Sequence, residues 1–310
     1  MAEVVVSEFM DEVAVEALAA RHATLYDPSL VDRPADLVAA LEEARALVVR
    51  NRTQVDGALL AAAPGLRCVG RLGVGLDNID LGACEERGVS VYPATGANDV
   101  AVAEYVLAAA LILLRGAYGA SAEVAAGAWP RAQLIGREAA GGRLGLVGFG
   151  SIARAVAERA RAFGMKIAAF DPHLPASDPI WKRAERLDFD ALLAESEVVS
   201  LHVPLTPATR RMMDATAIAR MRPGAVLINS ARGGIVDESA LADALRRGAL
   251  GGVALDVFEN EPLDAERGRI FAGLQNLILT PHIAGVTEES NVRVSRATAE
   301  AVLRHLESAE

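Results

Sequence analysis

Short apolar runs, separated by amphipathic stretches, recur along the whole chain. Residues 4–6, 47–50, 68–71 and 89–92 have the length and apolar character of buried strands, and the stretches 11–21 and 34–44 between them place apolar residues at helical spacing. A second series begins at 143–147 and continues at 166–170, 198–202, 225–229, 253–256 and 277–279. Unbroken apolar strands alternating with helices predict an α/β protein built on parallel sheets covered on both faces. Segment 98–115 is apolar on most faces and holds neither Gly nor Pro. It predicts a connecting helix that also packs against a second subunit. Residues 288–305 predict a final amphipathic helix. No repeat or Ser/Pro-rich linker interrupts the pattern, so two structured domains with a cleft between them are expected, and 310 residues suffice for two.

A chain 52% hydrophobic and 23% charged can bury a sizeable core, and a net charge of −10 disfavours nucleic acid as a partner. Cys68 and Cys84 make neither a disulfide framework nor a metal-ligand pattern and are expected as buried thiols. The acidic N-terminal segment is unlike a signal peptide, and the most apolar stretch, 106–114, is too short to cross a bilayer. A cytoplasmic location without a membrane partner is expected.

The segment Leu144-Gly145-Leu146-Val147-Gly148-Phe149-Gly150-Ser151-Ile152-Ala153 reads G-x-G-x-x-A at a strand-to-helix junction. Gly148 permits the tight turn, Gly150 lets backbone approach a pyrophosphate, and Ala153 is small enough for close helix–strand packing. The N–H groups near Ser151 and Ile152 would face the phosphates. Asp171 lies 21 residues beyond Gly150, at the end of the next strand, where a carboxylate accepts from a ribose hydroxyl and repels a 2′-phosphate. The expected cofactor is NAD. His202, Val203 and Pro204 are expected to line its pocket.

Three loops in the last third each follow a predicted strand: Asn229-Ser230-Ala231-Arg232-Gly233-Gly234, Asp256-Val257-Phe258-Glu259-Asn260-Glu261-Pro262 and Thr280-Pro281-His282-Ile283-Ala284-Gly285. Arg232 can grip a carboxylate bidentately and polarise a neighbouring carbonyl. His282 can exchange a proton with the substrate oxygen, and Glu261 can hold its other ring nitrogen. His22, His173 and His305 lack such context and are expected as surface residues.

Together, LGLVGFGSIA, INSARGGIVDE, ALDVFENEP, PHIAG and GRLGVGLDNID resemble the D-isomer-specific 2-hydroxyacid dehydrogenase family over essentially the whole chain. The resemblance implies a flavodoxin-like substrate domain, 1–95 with 286–310, and a Rossmann NAD-binding domain, 96–285, both doubly wound. It implies Arg232, Glu261 and His282 as the catalytic set, the Val74–Gly75 backbone on the substrate carboxylate, and Ala231 and Asp256 on the nicotinamide carboxamide. Gly285 closes the cofactor side of its motif. A homodimer or homotetramer is implied as well.

Arg50 and Arg52 end a predicted strand, and residues i and i+2 share a face if the extension continues. Two guanidiniums could then clamp an anionic tail, as in the substrate loop of 3-phosphoglycerate dehydrogenases, with Arg131 aligned to a basic position supplied by a neighbouring subunit. The expected substrate is a small hydroxy acid or keto acid with a second anion, 3-phosphoglycerate first. 3-Sulfolactate, glyoxylate or hydroxypyruvate are alternatives, and an NAD-binding corepressor is the reading from a different class. The chain ends soon after its final helix, so feedback by serine through a C-terminal regulatory domain is not expected.

Overall fold

The computed structural model describes residues 2–308. The chain divides into two compact units. One runs up to Asn98 and resumes at Val286; the other is Asp99–Gly285.

In the first unit β1 (Val4–Val6), β2 (Thr24–Tyr26), β3 (Ala46–Val49), β4 (Cys68–Arg71) and β5 (Ser90–Pro93) form a parallel sheet in the order β2-β1-β3-β4-β5. This is the flavodoxin-like order, whose topological switch falls between β1 and β3. Every residue of β1 and β3 is buried, which is why both read as plain apolar runs. β2 escapes that pattern because it is an edge strand with no buried residue. The Glu288–Ser308 helix packs Val294, Ala299, Val302 and Leu306 into the same core as Val4, Val6, Met10 and Leu18. The end of the chain thus completes the core begun at its start.

In the second unit β6 (Arg143–Val147), β7 (Lys166–Phe170), β8 (Glu185–Arg186), β9 (Val198–Leu201), β10 (Ala225–Asn229), β11 (Leu250–Leu255) and β12 (Leu277–Leu279) pair in the order β12-β11-β10-β9-β6-β7-β8, all parallel. Counted from β6, this is the 3-2-1-4-5-6 order of dinucleotide-binding domains with one strand added. Its switch lies between β6 and β9. β8 is two exposed charged residues at the sheet edge, and no apolar run announces it.

The Asp99–Arg115 helix puts Val102, Ala103, Val106, Leu107, Ala110 and Leu113 into one core with Leu144, Leu146, Ala153 and Val156. Its apolar character is largely consumed inside the unit. Exposed apolar surface lies in the segment after it, where Tyr118, Trp129 and Ile135 are 66%, 76% and 83% exposed. Cys68 and Cys84 are buried free thiols.

Candidate active site

The switch between β6 and β9 is built for an anion. Gly148 has φ +87°, and a Cβ there would sit 2.5 Å from the His202 carbonyl oxygen, so the turn after β6 admits only glycine. Above Gly150 the space is open: a Cβ would meet nothing within 4 Å. The Ser151–Ala162 helix starts at Gly150 without a side-chain cap, so its first-turn N–H groups face outward into that space. One oxygen of Asp171 accepts from the Phe149 N–H (2.9 Å) and the other from the His173 N–H (2.9 Å), which places the carboxylate beside the glycine turn. An uncapped helix start, open space over Gly150 and an adjacent acid fit a dinucleotide: pyrophosphate on the helix, ribose on Asp171. His202 follows β9, its Nε2 lies 3.0 Å from Ser200 Oγ, and burial pushes its pKa down to about 4, so the imidazole is neutral at neutral pH. Val203 and Pro204 continue the same loop, partly buried and exposed respectively.

Arg232, Glu261 and His282 all lie in loops after strands of this sheet. His282 Nδ1 is 2.7 Å from Glu261 Oε2, and Glu261 Oε1 accepts from the Phe258 N–H at 3.0 Å. With Nδ1 engaged, Nε2 is the nitrogen left for proton exchange, and the side chain is 43% exposed to a substrate. Burial pushes the Glu261 pKa up, but hydrogen bonds from His282 and the Phe258 amide, with the charges of His282 and Arg232, outweigh it and hold the carboxyl below its ordinary value. Glu259 belongs elsewhere, paired with Arg211 at 3.4 Å.

His282 has φ +57°, a conformation that costs a non-glycine residue about 1–3 kcal/mol and persists only where its surroundings over-determine it. Asp256 does so. Its carboxylate accepts from Thr280 Oγ1 (2.6 Å), the Ile283 N–H (2.8 Å) and the Ala284 N–H (2.8 Å), and its carbonyl accepts from the His282 N–H (2.8 Å). At 1% exposure Asp256 holds the histidine loop from a buried position. Tyr105 Oη extends the network, 2.6 Å from Thr280 Oγ1. Tyr105 belongs to no sequence motif; only the fold brings it to Thr280 in the histidine loop.

The arginine loop is locked from within. The buried Asn229 carboxamide accepts from the Ala231 N–H (3.1 Å) and donates to the Arg232 carbonyl (2.9 Å). A Cβ on Gly233 would fall 1.7 Å from the Phe258 carbonyl oxygen, so this glycine lets the arginine and glutamate loops touch. Arg232 Nη1 donates to the Ala231 carbonyl at 2.5 Å, and Gly285 ends the unit, partly buried.

The first unit corrects two expectations. β3 ends at Val49 and the chain bends over 51–53, so the alternation that would put Arg50 and Arg52 on one face stops. Arg50 donates to Asn291 Oδ1 at 2.8 Å and lies over the Phe9 ring, 5.9 Å from its centre. Arg52 is exposed and ion-paired with Asp32. Val74 and Gly75 occupy the loop after β4, partly buried, and Arg131 is exposed in the second unit. His22 is also corrected: it is 9% exposed and 3.2 Å from Glu3, while His305 Nδ1 meets Tyr92 Oη at 2.9 Å.

The D-isomer specific 2-hydroxyacid dehydrogenase NAD binding domain matches residues 107–284. An (S)-sulfolactate dehydrogenase of Chromohalobacter salexigens is 54% identical over 307 residues, covering 99% of each chain. A D-3-phosphoglycerate dehydrogenase of Synechocystis sp. is 37% identical over 302 residues, 97% of this chain and 54% of the relative, so the chain spans about half its length. Among solved structures, D-lactate dehydrogenase from Aquifex aeolicus, complexed with NAD and lactic acid, is similar at a TM-score of 0.84 and 29% identity, covering 98% of this chain and 96% of that one. The chain belongs to the D-isomer specific 2-hydroxyacid dehydrogenase family and is an NAD-dependent oxidoreductase acting on a 2-hydroxy acid.

Proposed function

We propose that the substrate is (S)-3-sulfolactate, oxidised at C2 to the keto acid, or formed from it in reverse. NAD supplies the hydride acceptor. Arg232 binds the carboxylate and polarises the C2 oxygen. His282 Nε2 takes the hydroxyl proton as the C2 hydride departs with its electron pair, and returns it in the reverse direction. Glu261 keeps the ring aimed.

The observation that carries the choice of tail is that Arg52 is diverted to Asp32 while Arg50 is held by Asn291 and Phe9. A single guanidinium matches a sulfonate, which carries one negative charge. A phosphate monoester carries about −1.5 to −2 at neutral pH and calls for more cations. The 54% identity to an (S)-sulfolactate dehydrogenase supports the same choice, so the expected preference for 3-phosphoglycerate yields to it. The S descriptor suits a D-specific enzyme. Sulfur outranks oxygen at the first point of difference, so the sulfonate arm takes priority over the carboxylate, and (S)-sulfolactate has the arrangement of D-lactate about C2. Glyoxylate and hydroxypyruvate would leave Arg50 without an anion.

A homodimer or larger assembly belongs to this reading, supported by Tyr118, Trp129 and Ile135, exposed in the chain segment that also carries Arg131. The test is a panel of (S)-sulfolactate, D-3-phosphoglycerate, D-lactate and glyoxylate with their NAD or NADH. A kcat/KM for sulfolactate about tenfold or more above the others is expected. Preference for phosphoglycerate or for an acid without a tail overturns the assignment.

A further inference from the structure

Glu8 lies just after β1 and is 4% exposed. Its carboxylate receives four consecutive backbone N–H groups from the turn after β3: Arg50 (2.8 Å) and Thr53 (3.0 Å) on Oε1, Asn51 (3.3 Å) and Arg52 (3.2 Å) on Oε2. Successive N–H groups converging on one point are the arrangement by which backbone binds anions. Its position is the β1/β3 switch, where an open α/β sheet ordinarily receives its ligand. Here the occupant is a side chain of the protein itself. Asn78 Nδ2 closes the turn through the Thr53 carbonyl (2.7 Å), and Ser7 Oγ lies 3.0 Å from Thr53 Oγ1.

We propose that Glu8 is a specificity-determining positioning residue, an internal anion that fills the 50–53 turn and thereby sets what Arg50 can recognise. This rests on the sulfolactate reading and deepens it. The hydrogen bonds have two consequences. The four amides point inward and are engaged, so an external tail meets only the outward side chains. The turn also fixes the Arg50 backbone, leaving Asn291 and Phe9 to fix its guanidinium. Burial lowers the Arg50 pKa and the Glu8 charge opposes that shift. A tail-binding surface with one cation and no free amides accepts a singly charged sulfonate and disfavours a doubly charged phosphate.

The experiment compares Glu8→Ala, Glu8→Gln and Asn291→Ala with the native enzyme on (S)-sulfolactate, D-3-phosphoglycerate and D-lactate. It adds amide hydrogen exchange across 50–53 and titration with sodium acetate. In Glu8→Ala the amides at 50–53 should lose protection. The sulfolactate-to-lactate ratio of kcat/KM should fall about tenfold or more, chiefly through KM. Acetate, entering the vacated turn, should restore much of that ratio. Phosphoglycerate should gain relative to sulfolactate. Glu8→Gln should fall between, since its carbonyl oxygen still accepts but its amide nitrogen cannot. If Glu8→Ala does not fold, Glu8→Gln and Asn291→Ala carry the test through the same ratio. Protection that survives in the variant, or equal losses on tailed and tail-less acids with no response to acetate, overturns the role of Glu8. Failure of the sulfolactate reading is seen separately, as native enzyme that does not prefer that substrate.

Discussion

The two sheets each reverse strand order once, and the chain treats the two switch points oppositely. At β6/β9 the crevice is left clear. Gly150 leaves open space, the helix start is uncapped, and the neighbouring acid is occupied with local amides. At β1/β3 the equivalent crevice is filled by Glu8, which takes four N–H groups that a ligand could have used. One fold rule thus yields a binding site in one unit and a rigid support in the other. The difference is set by the residues just past the first strand of each sheet: glycines after β6, a glutamate after β1.

The largest effect should separate chemistry from cofactor capture at the open crevice. His282→Ala is expected to lower kcat by about 10²–10⁴-fold, the range for losing a general acid–base, while NADH titrated by fluorescence still binds. Near-native turnover would remove His282 from the mechanism. The crevice itself is probed by two glycine variants with opposite signatures. Gly150→Val adds a side chain to open space, so the protein should melt as before yet lose about tenfold or more in NAD affinity. Gly148→Ala forces a Cβ against the His202 carbonyl at φ +87° and should lower stability by about 1–3 kcal/mol in denaturant titration. If both variants melt alike and bind NAD alike, the open space is not where the cofactor lies.

The filled crevice makes a smaller prediction. Losing one charge-assisted hydrogen bond costs about 1.5–3 kcal/mol. Arg50→Ala should therefore lose about ten- to a hundred-fold in kcat/KM on sulfolactate and much less on D-lactate. Arg52→Ala, which breaks only an exposed ion pair with Asp32, should change either by less than about threefold. Equal effects of the two substitutions would restore a two-arginine clamp.

The smallest effect concerns pH. Burial depresses the His202 pKa from 6.5 to about 4, so the folded state binds fewer protons than the unfolded chain between those values. The stability that the neutral imidazole contributes is fully present above about pH 6.5 and is lost as pH falls toward 4. A His202→Gln variant should show a flatter decline of Tm over that window. An unchanged slope would place the acid sensitivity elsewhere.

Much of this was legible in the sequence because it depends on local chemistry. Buried parallel strands read as apolar runs, the turn after β6 requires glycine at Gly148, close approach of backbone to a phosphate calls for another at Gly150, and three short loops after strands announce Arg232, Glu261 and His282. β2 and β8 were not legible because they are short, exposed edge strands. Long-range partners were equally silent. Sequence spacing suggests that Arg50 and Arg52 act together, whereas Asn291 and Asp32, far off in the chain, take one each. Asp256 carries a motif, but only the fold turns it onto the histidine loop, with Tyr105 and Thr280 behind it. Sequence alone determined which elements form and which residue types reach the strand ends, because propensity, periodicity and turn sterics act over a few residues. Tertiary structure alone decided which buried polar groups satisfy one another, Glu8 above all. Removing a carboxylate from water demands donors, and those donors lie more than forty residues away, after β3.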